Sequence, residues 1–318
     1  MPSNAFLITG ANTGLGKDVA RQLALRADVD SVYLACRDEA RAQAAQAELQ
    51  RITNGTAFEI LIMDTADLAS VRSATKAIDK PLRAVLLNAG GTGGPTPMAR
   101  TADGVTTIFA SNVLGHAVLL EGLVDAGLLT STAVLTGSEA ARGVPKLRIK
   151  RPTFATRSVD EFASVIDGSF FNGRKFDPML AYGQVKYLGA LWMSALARQH
   201  PDLRLLTVSP GNTSGTDALR DMATVPRVIM QRVVMPYVAP MFGVSHPLEV
   251  GAKRLVEGLV GGALRSGGFY ASAAKTLTGS LIEQSGIVAD FADAATQDHA
   301  YEAIHRFLDS SRGDATGG

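Results

Sequence analysis

The sequence predicts an α/β fold, a single doubly wound parallel sheet with helices on both faces, and three observations carry that prediction. Short continuous apolar runs alternate with helical segments through the first two thirds of the chain. A glycine-rich turn, Gly10-x-x-x-Gly14-x-Gly16, joins the first such run to a helix. Polar residues recur where the runs end, at Arg37, Asp64, Asn88 and Ser138, the edge at which open α/β sheets gather ligands. All 318 residues fit one domain, 1–318, since α/β domains of this size are common.

Phe6 to Thr9 reads as a buried strand, and Val19 to Ala27 resumes with helical spacing. The turn between them, with Asn12, Thr13 and Leu15 beside the glycines, has the layout that brings helix N–H groups to a phosphate. Ser31 to Ala35 is a second strand ending in Cys36-Arg37, and Asp38 to Arg51 a helix with acids in its first turn. Phe58 to Met63, Ala84 to Leu87 and Ala133 to Thr136 are further strands, separated by helices over Asp67 to Ile78 and Gly104 to Asp125. Residues 139–180 break this rhythm as an insertion, with one helical piece over Val159 to Ile166. A largely apolar helix over Tyr182 to His200, a strand over Leu203 to Val208, a helix over Glu249 to Val260 and a strand over Gly268 to Ser272 follow. Gln297 to Leu308 is read as a closing helix and Ser310 to Gly318 as a frayed tail.

Composition narrows the function classes. A formal net charge of +1 gives no basis for binding nucleic acid or an anionic membrane. One cysteine, Cys36, excludes an internal disulfide, and the five histidines are scattered without metal-ligand spacing, so no metal site is expected. No secretory signal and no uninterrupted membrane span are read, and a cytoplasmic location is the expectation.

Tyr182-x-x-x-Lys186 is the most informative stretch. Positions i and i+4 share a helix face, so phenol and ammonium can share a site. A nearby ammonium favours the phenolate, and a phenol tuned this way can exchange a proton with a substrate oxygen. Arg37 lies about 20 residues past the glycine-rich turn, where an acid would hold a ribose 2′-hydroxyl and an arginine a 2′-phosphate; NADP(H) is therefore expected, with Lys17 adding charge.

Taken together, Thr9-Gly10-x-x-x-Gly14-x-Gly16, Asp64, Asn88-Ala89-Gly90, Asn112, Ser138, Tyr182-x-x-x-Lys186 and Pro210-Gly211 stand in one order. In that order the chain resembles the short-chain dehydrogenase/reductase family, a Rossmann-fold family, along nearly its whole length. Thr9 to Lys17, Ala35 to Arg37 and Ser111 to His116 look most like its retinol dehydrogenase and light-dependent protochlorophyllide reductase branch. The resemblance implies that Tyr182 is the acid/base, that Lys186 lowers its pKa and binds the nicotinamide ribose, that Ser138 bonds the substrate carbonyl, and that Asn112 holds a relay water. It places Asp64 and Thr65 at the adenine and Asn88, Ala89 and Gly90 along the adenosine. After Pro210-Gly211 the family's threonine is displaced, leaving Thr213, Ser214 and Thr216 as candidates for the cofactor amide.

The expected activity is NADP(H)-dependent hydride transfer between cofactor and a carbonyl or alcohol of a lipophilic small molecule. C=C reduction of the protochlorophyllide reductase type and a non-catalytic NADP(H) sensor are the alternatives. Asn212, where protochlorophyllide reductases carry a cysteine, argues against the first, and the presence of Asn112, Ser138, Tyr182 and Lys186 against the second. The apolar segment from Met222 to Phe242 reads as a membrane-surface element, a groove for an apolar substrate or plain core packing; the resemblance puts it in the family's substrate lid, 212–243, and so implies a lipophilic ligand. A monomer or a homodimer is expected, because the insertion could cover the helices through which relatives pair.

Overall fold

The computed structural model describes residues 4–53, 57–213 and 245–313. Its strands are β1 (Ala5–Thr9), β2 (Ser31–Cys36), β3 (Ala57–Ile62), β4 (Leu82–Leu87), β5 (Leu129–Thr136), β6 (Arg204–Val208), β7 (Phe269–Ala271) and β8 (Ile282–Glu283). They form one sheet in the order β3-β2-β1-β4-β5-β6-β7-β8. Every pairing is parallel except β7 with β8, a two-residue antiparallel edge too short to leave a sequence pattern. The strand order reverses between β1 and β4, and this switch point opens the crevice expected for a ligand.

The helices are α1 (Gly14–Ala24), α2 (Glu39–Ile52), α3 (Leu68–Lys76), α4 (Thr107–Asp125), α5 (Val159–Ile166), α6 (Pro178–Gln199), α7 (Leu248–Val260) and α8 (Ala294–Gly313). Asp38, Asp67 and Asp177 cap α2, α3 and α6 by accepting first-turn N–H groups, which explains why those helices start there. With Asp177 as cap and Pro178 at its first position, α6 begins one turn before the expected Tyr182. The closing helix runs on through Gly313, past the point where fraying was expected.

Both faces of the sheet are buried, and the period of two sorts the side chains between them. In β1, Ala5 and Leu7 join one core with Phe109, Leu188 and Trp192, while Phe6 and Ile8 join the other with Val19, Leu23 and Leu255. One expectation about apolar length fails. Thr107–Asp125 is a 19-residue helix of mean hydropathy 1.5, enough by length and composition to cross a membrane. Here 67% of it is buried inside the protein, so its apolarity is that of a core helix.

Within the insertion, Ser158 accepts from Glu161 N–H to cap α5, and Phe154 packs edge-to-face on Phe162 and tilted against Tyr187 of α6. Tyr187 donates to Asp290 at 2.7 Å, and Arg157 pairs with the same carboxylate. Insertion, α6 and the approach to α8 are thereby joined in one layer.

Candidate active site

At the end of β1 the chain turns through Gly10 and Gly14, both at positive φ (67° and 53°). A Cβ at Gly16 would lie 2.4 Å from the Gly10 carbonyl oxygen, so only glycine lets α1 start this close to the turn. Asn12, Thr13 and Leu15 complete the loop, and Thr13 leaves the first N–H groups of α1 uncapped by any side chain. Thr9 anchors the cradle from below. Its hydroxyl accepts from Asn88 N–H and Ala89 N–H, each at 2.8 Å, while Asn88 Nδ2 donates to the Thr9 carbonyl at 3.0 Å. The ends of β1 and β4 are thus locked at the switch point.

Beside this cradle lies a cavity of about 490 Å³ lined by Asn12, Thr13, Lys17, Arg41 and Glu48. Arg37 at the end of β2 is exposed and makes no ion pair among the described residues. Lys17 differs from expectation: its ammonium is held by both carboxylate oxygens of Glu48, at 2.8 and 2.9 Å, so its charge is already matched. Asp64 accepts from Ala66 N–H at 2.9 Å, and Thr65 is buried where a Cβ at Gly115 would meet its carbonyl at 2.0 Å.

The chemistry-bearing side chains converge from β5, α4 and α6. Ser138, just past β5, caps the 3-10 turn Glu139–Arg142 by accepting from Ala140 N–H at 3.2 Å. A Cβ at Gly183 would lie 2.8 Å from the Ala140 carbonyl, so glycine beside Tyr182 lets α6 approach that turn. The Ser138 hydroxyl is thereby near enough to lower the pKa of the Tyr182 phenol. Glycine at Gly137 has a physical reason: a Cβ there would lie 2.8 Å from both Phe269 and Thr207.

Tyr182 corrects the expected direction of tuning. Burial pushes the phenol above its ordinary pKa, the Ser138 hydroxyl pulls it down, and the Glu139 carboxylate pushes it up again. The Lys186 ammonium stands 5.7 Å from the ring centroid and donates to the Thr136 carbonyl at 2.9 Å. Burial lowers Lys186 itself to about 8.

Asn112 lies in a π-helical turn, Ala110–Leu114, within α4. Its side chain accepts from Gly91 N–H at 3.1 Å and donates to the carbonyls of Gly91 and Ile108, at 2.9 and 2.8 Å. The amide is therefore spent on fixing the Asn88 to Gly91 loop, where a Cβ at Gly90 would strike it at 2.4 Å. His116, fully buried, bridges the Asn112 carbonyl (3.1 Å) and the Thr9 hydroxyl (3.0 Å), and burial lowers it to about 3.

Pro210 and Gly211 follow β6. Gly211 adopts φ 76° and donates to the Ser209 hydroxyl at 3.1 Å, and His246 meets the Pro210 carbonyl at 2.7 Å. Thr213 is buried against α7, its methyl 2.2 Å from where a Gly251 Cβ would stand. Ser214, Thr216 and the apolar segment from Met222 to Phe242 lie outside the described residues.

Sequence reasoning missed Glu139, Arg142, His246 and Arg254, all buried around this turn. A charged pair three apart directly after Ser138 was the available signal. No metal-binding cluster occurs among the described residues, and burial raises the Cys36 thiol to about 11.

Residues 4–142 match the family described as KR domain. Mouse retinol dehydrogenase 11 is 37% identical over 128 residues, 39% of this chain and 39% of that protein. Human WW domain-containing oxidoreductase is 30% identical over 213 residues, 65% of this chain and 48% of that one. The chain thus spans less than half the length of these relatives. Among solved structures, NADPH-bound carbonyl reductase from chicken fatty liver superposes with a TM-score of 0.56 at 15% identity, covering 88% of this chain and 100% of that one.

Proposed function

From a chain whose residues 4–142 match the KR domain family and which is similar over 128 residues to retinol dehydrogenase 11, we propose an NADP(H)-dependent oxidoreductase of the short-chain dehydrogenase/reductase type acting on a carbonyl or alcohol. One observation carries this reading: glycine at Gly183 brings Tyr182 and α6 against the turn that Ser138 caps just past β5, beside the strand ends that carry the glycine cradle.

The cradle fits a dinucleotide, because glycine at Gly16 lets α1 start against the turn, while Gly14 and Gly91, both at positive φ, have open space where a Cβ would stand. The uncapped start of α1 suits a pyrophosphate. Arg37 and Arg41, cations at the end of β2 and the start of α2, suit a 2′-phosphate and favour NADP(H) over NAD(H). In this reading Lys186 would hold the nicotinamide ribose, and Pro210, Gly211 and Thr213 would border the nicotinamide. When bound, the nicotinamide supplies or accepts the hydride. Ser138 donates to the substrate oxygen, where negative charge grows during reduction. Tyr182, protonated at neutral pH, gives that oxygen its proton, and Lys186 keeps a positive charge near the phenolate left behind.

A lipophilic substrate is supported by the similarity to retinol dehydrogenases and by the apolar sequence from Met222 to Phe242. A monomer is supported by α8, which lies along α6 and reaches α4 through His305 and Glu121 at 3.0 Å, covering the surface through which relatives pair. Sedimentation at micromolar concentration would then give a single species near the 33.3 kDa chain mass.

The test is a titration with NADPH and NADH followed by a screen of retinoid-like, sterol-like and small polar carbonyls for cofactor oxidation. The expected outcome is tighter NADPH binding and turnover confined to apolar carbonyls. Turnover of polar compounds alone would remove the substrate class, and turnover of none would remove the enzyme.

A further inference from the structure

The buried charges behind the Ser209 to Gly211 turn are not explained by cofactor or substrate binding. Glu139 is 4% exposed and Arg142 3%, on a turn that directly follows Ser138. The Glu139 carboxylate accepts from the Ser209 hydroxyl at 2.6 Å and from Ser272 N–H at 3.1 Å. Glu139 follows β5, Ser209 follows β6 and Ser272 follows β7, so one side chain joins three neighbouring strand ends. Arg142 donates to the carbonyls of Ser272, Ala273, Ala274 and Thr276, at 2.9–3.2 Å, and pins the segment beyond β7. Arg254 of α7 reaches the Ser272 hydroxyl at 3.1 Å and the Gly279 carbonyl.

The donors that Glu139 meets are neutral. Among the described residues no guanidinium or ammonium lies within ion-pair distance of its carboxylate, because both arginines are turned to carbonyl and hydroxyl oxygens. The carboxylate is thus held in place without being neutralised by contact. Gly183, next to Tyr182, packs against the Ala140 carbonyl of the same turn, so the phenol and the carboxylate stand on adjoining elements. An interior of low effective dielectric makes the carboxylate's field count.

We propose that Glu139 is a positioning residue: it locks the ends of β5, β6 and β7 beneath the active site, and its negative charge opposes charge on the Tyr182 oxygen. A phenol held protonated in this way is ready to donate, which favours reduction of a carbonyl over oxidation of an alcohol at neutral pH. This second consequence rests on the oxidoreductase reading, whereas the effect on the phenol does not. Lys186 and Ser138 face Tyr182 from α6 and the β5 end. Arg142, Arg254 and His246 face Glu139 from its own turn, from α7 and from the segment before α7.

The test follows the Tyr182 phenol itself, by NMR of isotopically labelled tyrosine Cζ across pH in the full chain, with the resonance assigned by its loss in Tyr182→Phe. In Glu139→Gln the midpoint is expected at lower pH than in the native chain. Because that change leaves two buried guanidiniums without their counter-charge, Glu139→Gln with Arg254→Gln restores the balance and should show the same downward movement. Ser209→Ala keeps the carboxylate, should leave the midpoint in place, and should weaken NADPH binding roughly tenfold through the freed turn. An unmoved or raised midpoint in folded Glu139→Gln, or in the paired variant, overturns the proposal. The alkaline limb of carbonyl reduction should move with the phenol. A shifted midpoint in a chain that turns over no carbonyl would sink the oxidoreductase reading and leave the Glu139 assignment standing.

Discussion

The two sides of the candidate site are built by different means. The side at β1 and β4 is held by glycine geometry and neutral hydrogen bonds: Gly10, Gly16 and Gly90 allow close approach, and Thr9, Asn88, Asn112 and His116 tie the loops together. The side at β6 and β7 is held by buried ions, with Glu139, Arg142 and Arg254 crossing between strand ends and segments far apart in the chain. A cradle made of backbone requires absent side chains. A clamp made of charge requires matched ones, and it can lend its field to the residue beside it.

If that contrast holds, the two sides should fail in different ways. The largest effect is expected from Arg142→Met, which removes a buried cation and strands the five carbonyls it meets. It should lower unfolding stability by about 3–5 kcal/mol in a denaturant titration. Loss of cofactor affinity at unchanged stability would place Arg142 with the cradle instead. Gly16→Ala should do the reverse. Its Cβ meets the Gly10 carbonyl at 2.4 Å, so NADPH affinity by calorimetry should fall roughly a hundredfold through displacement of the turn.

Lys186 lies between the two regions and gives a pH signature. Its pKa in the folded chain is lowered from 10.5 to about 8, so between those values the unfolded chain binds more protons. Stability then rises with pH from about 8 towards 10, and is lowest in this respect below 8. Lys186→Met should erase a rise on the order of 2 kcal/mol, taken as the difference between the two chains' denaturation midpoints across that window. Equal slopes in both chains would contradict the burial of an unpaired amine.

The smallest effect concerns the cradle's outer edge. Lys17 is held by Glu48 on a half-exposed surface, so Glu48→Gln should free a cation beside the 2′-phosphate end. NADPH should bind about threefold tighter, with NADH unchanged. Equal gains for both cofactors would show that the pair acts only on the joining of α1 and α2.

The same contrast explains what was legible in the sequence. The cradle is written locally: Gly10 to Gly16 and Asn88 to Gly90 are contiguous, and their spacing alone places them at strand ends. Tyr182 and Lys186 were legible because a helix sets their separation. The similarity to the KR family, over residues 4–142, also stops at the last residue of the Glu139 turn. The clamp is non-local. Arg142 meets partners 130 and more residues away, and Arg254 reads in sequence as any helical surface charge. His116 and His246 looked like ordinary scattered histidines, and only the fold shows one bridging Thr9 to Asn112 and the other holding Pro210. The direction of Tyr182 tuning was also out of reach, because it depends on which neighbour Lys186 faces.

The most direct test of the central claim separates binding from chemistry at one oxygen. Tyr182→Phe removes only the phenolic hydroxyl. NADPH affinity should stay within about twofold, while turnover of a responsive carbonyl falls by about 10²–10⁴. Retained turnover in Tyr182→Phe, with cofactor affinity unchanged, would contradict the assignment of Tyr182 as the proton donor.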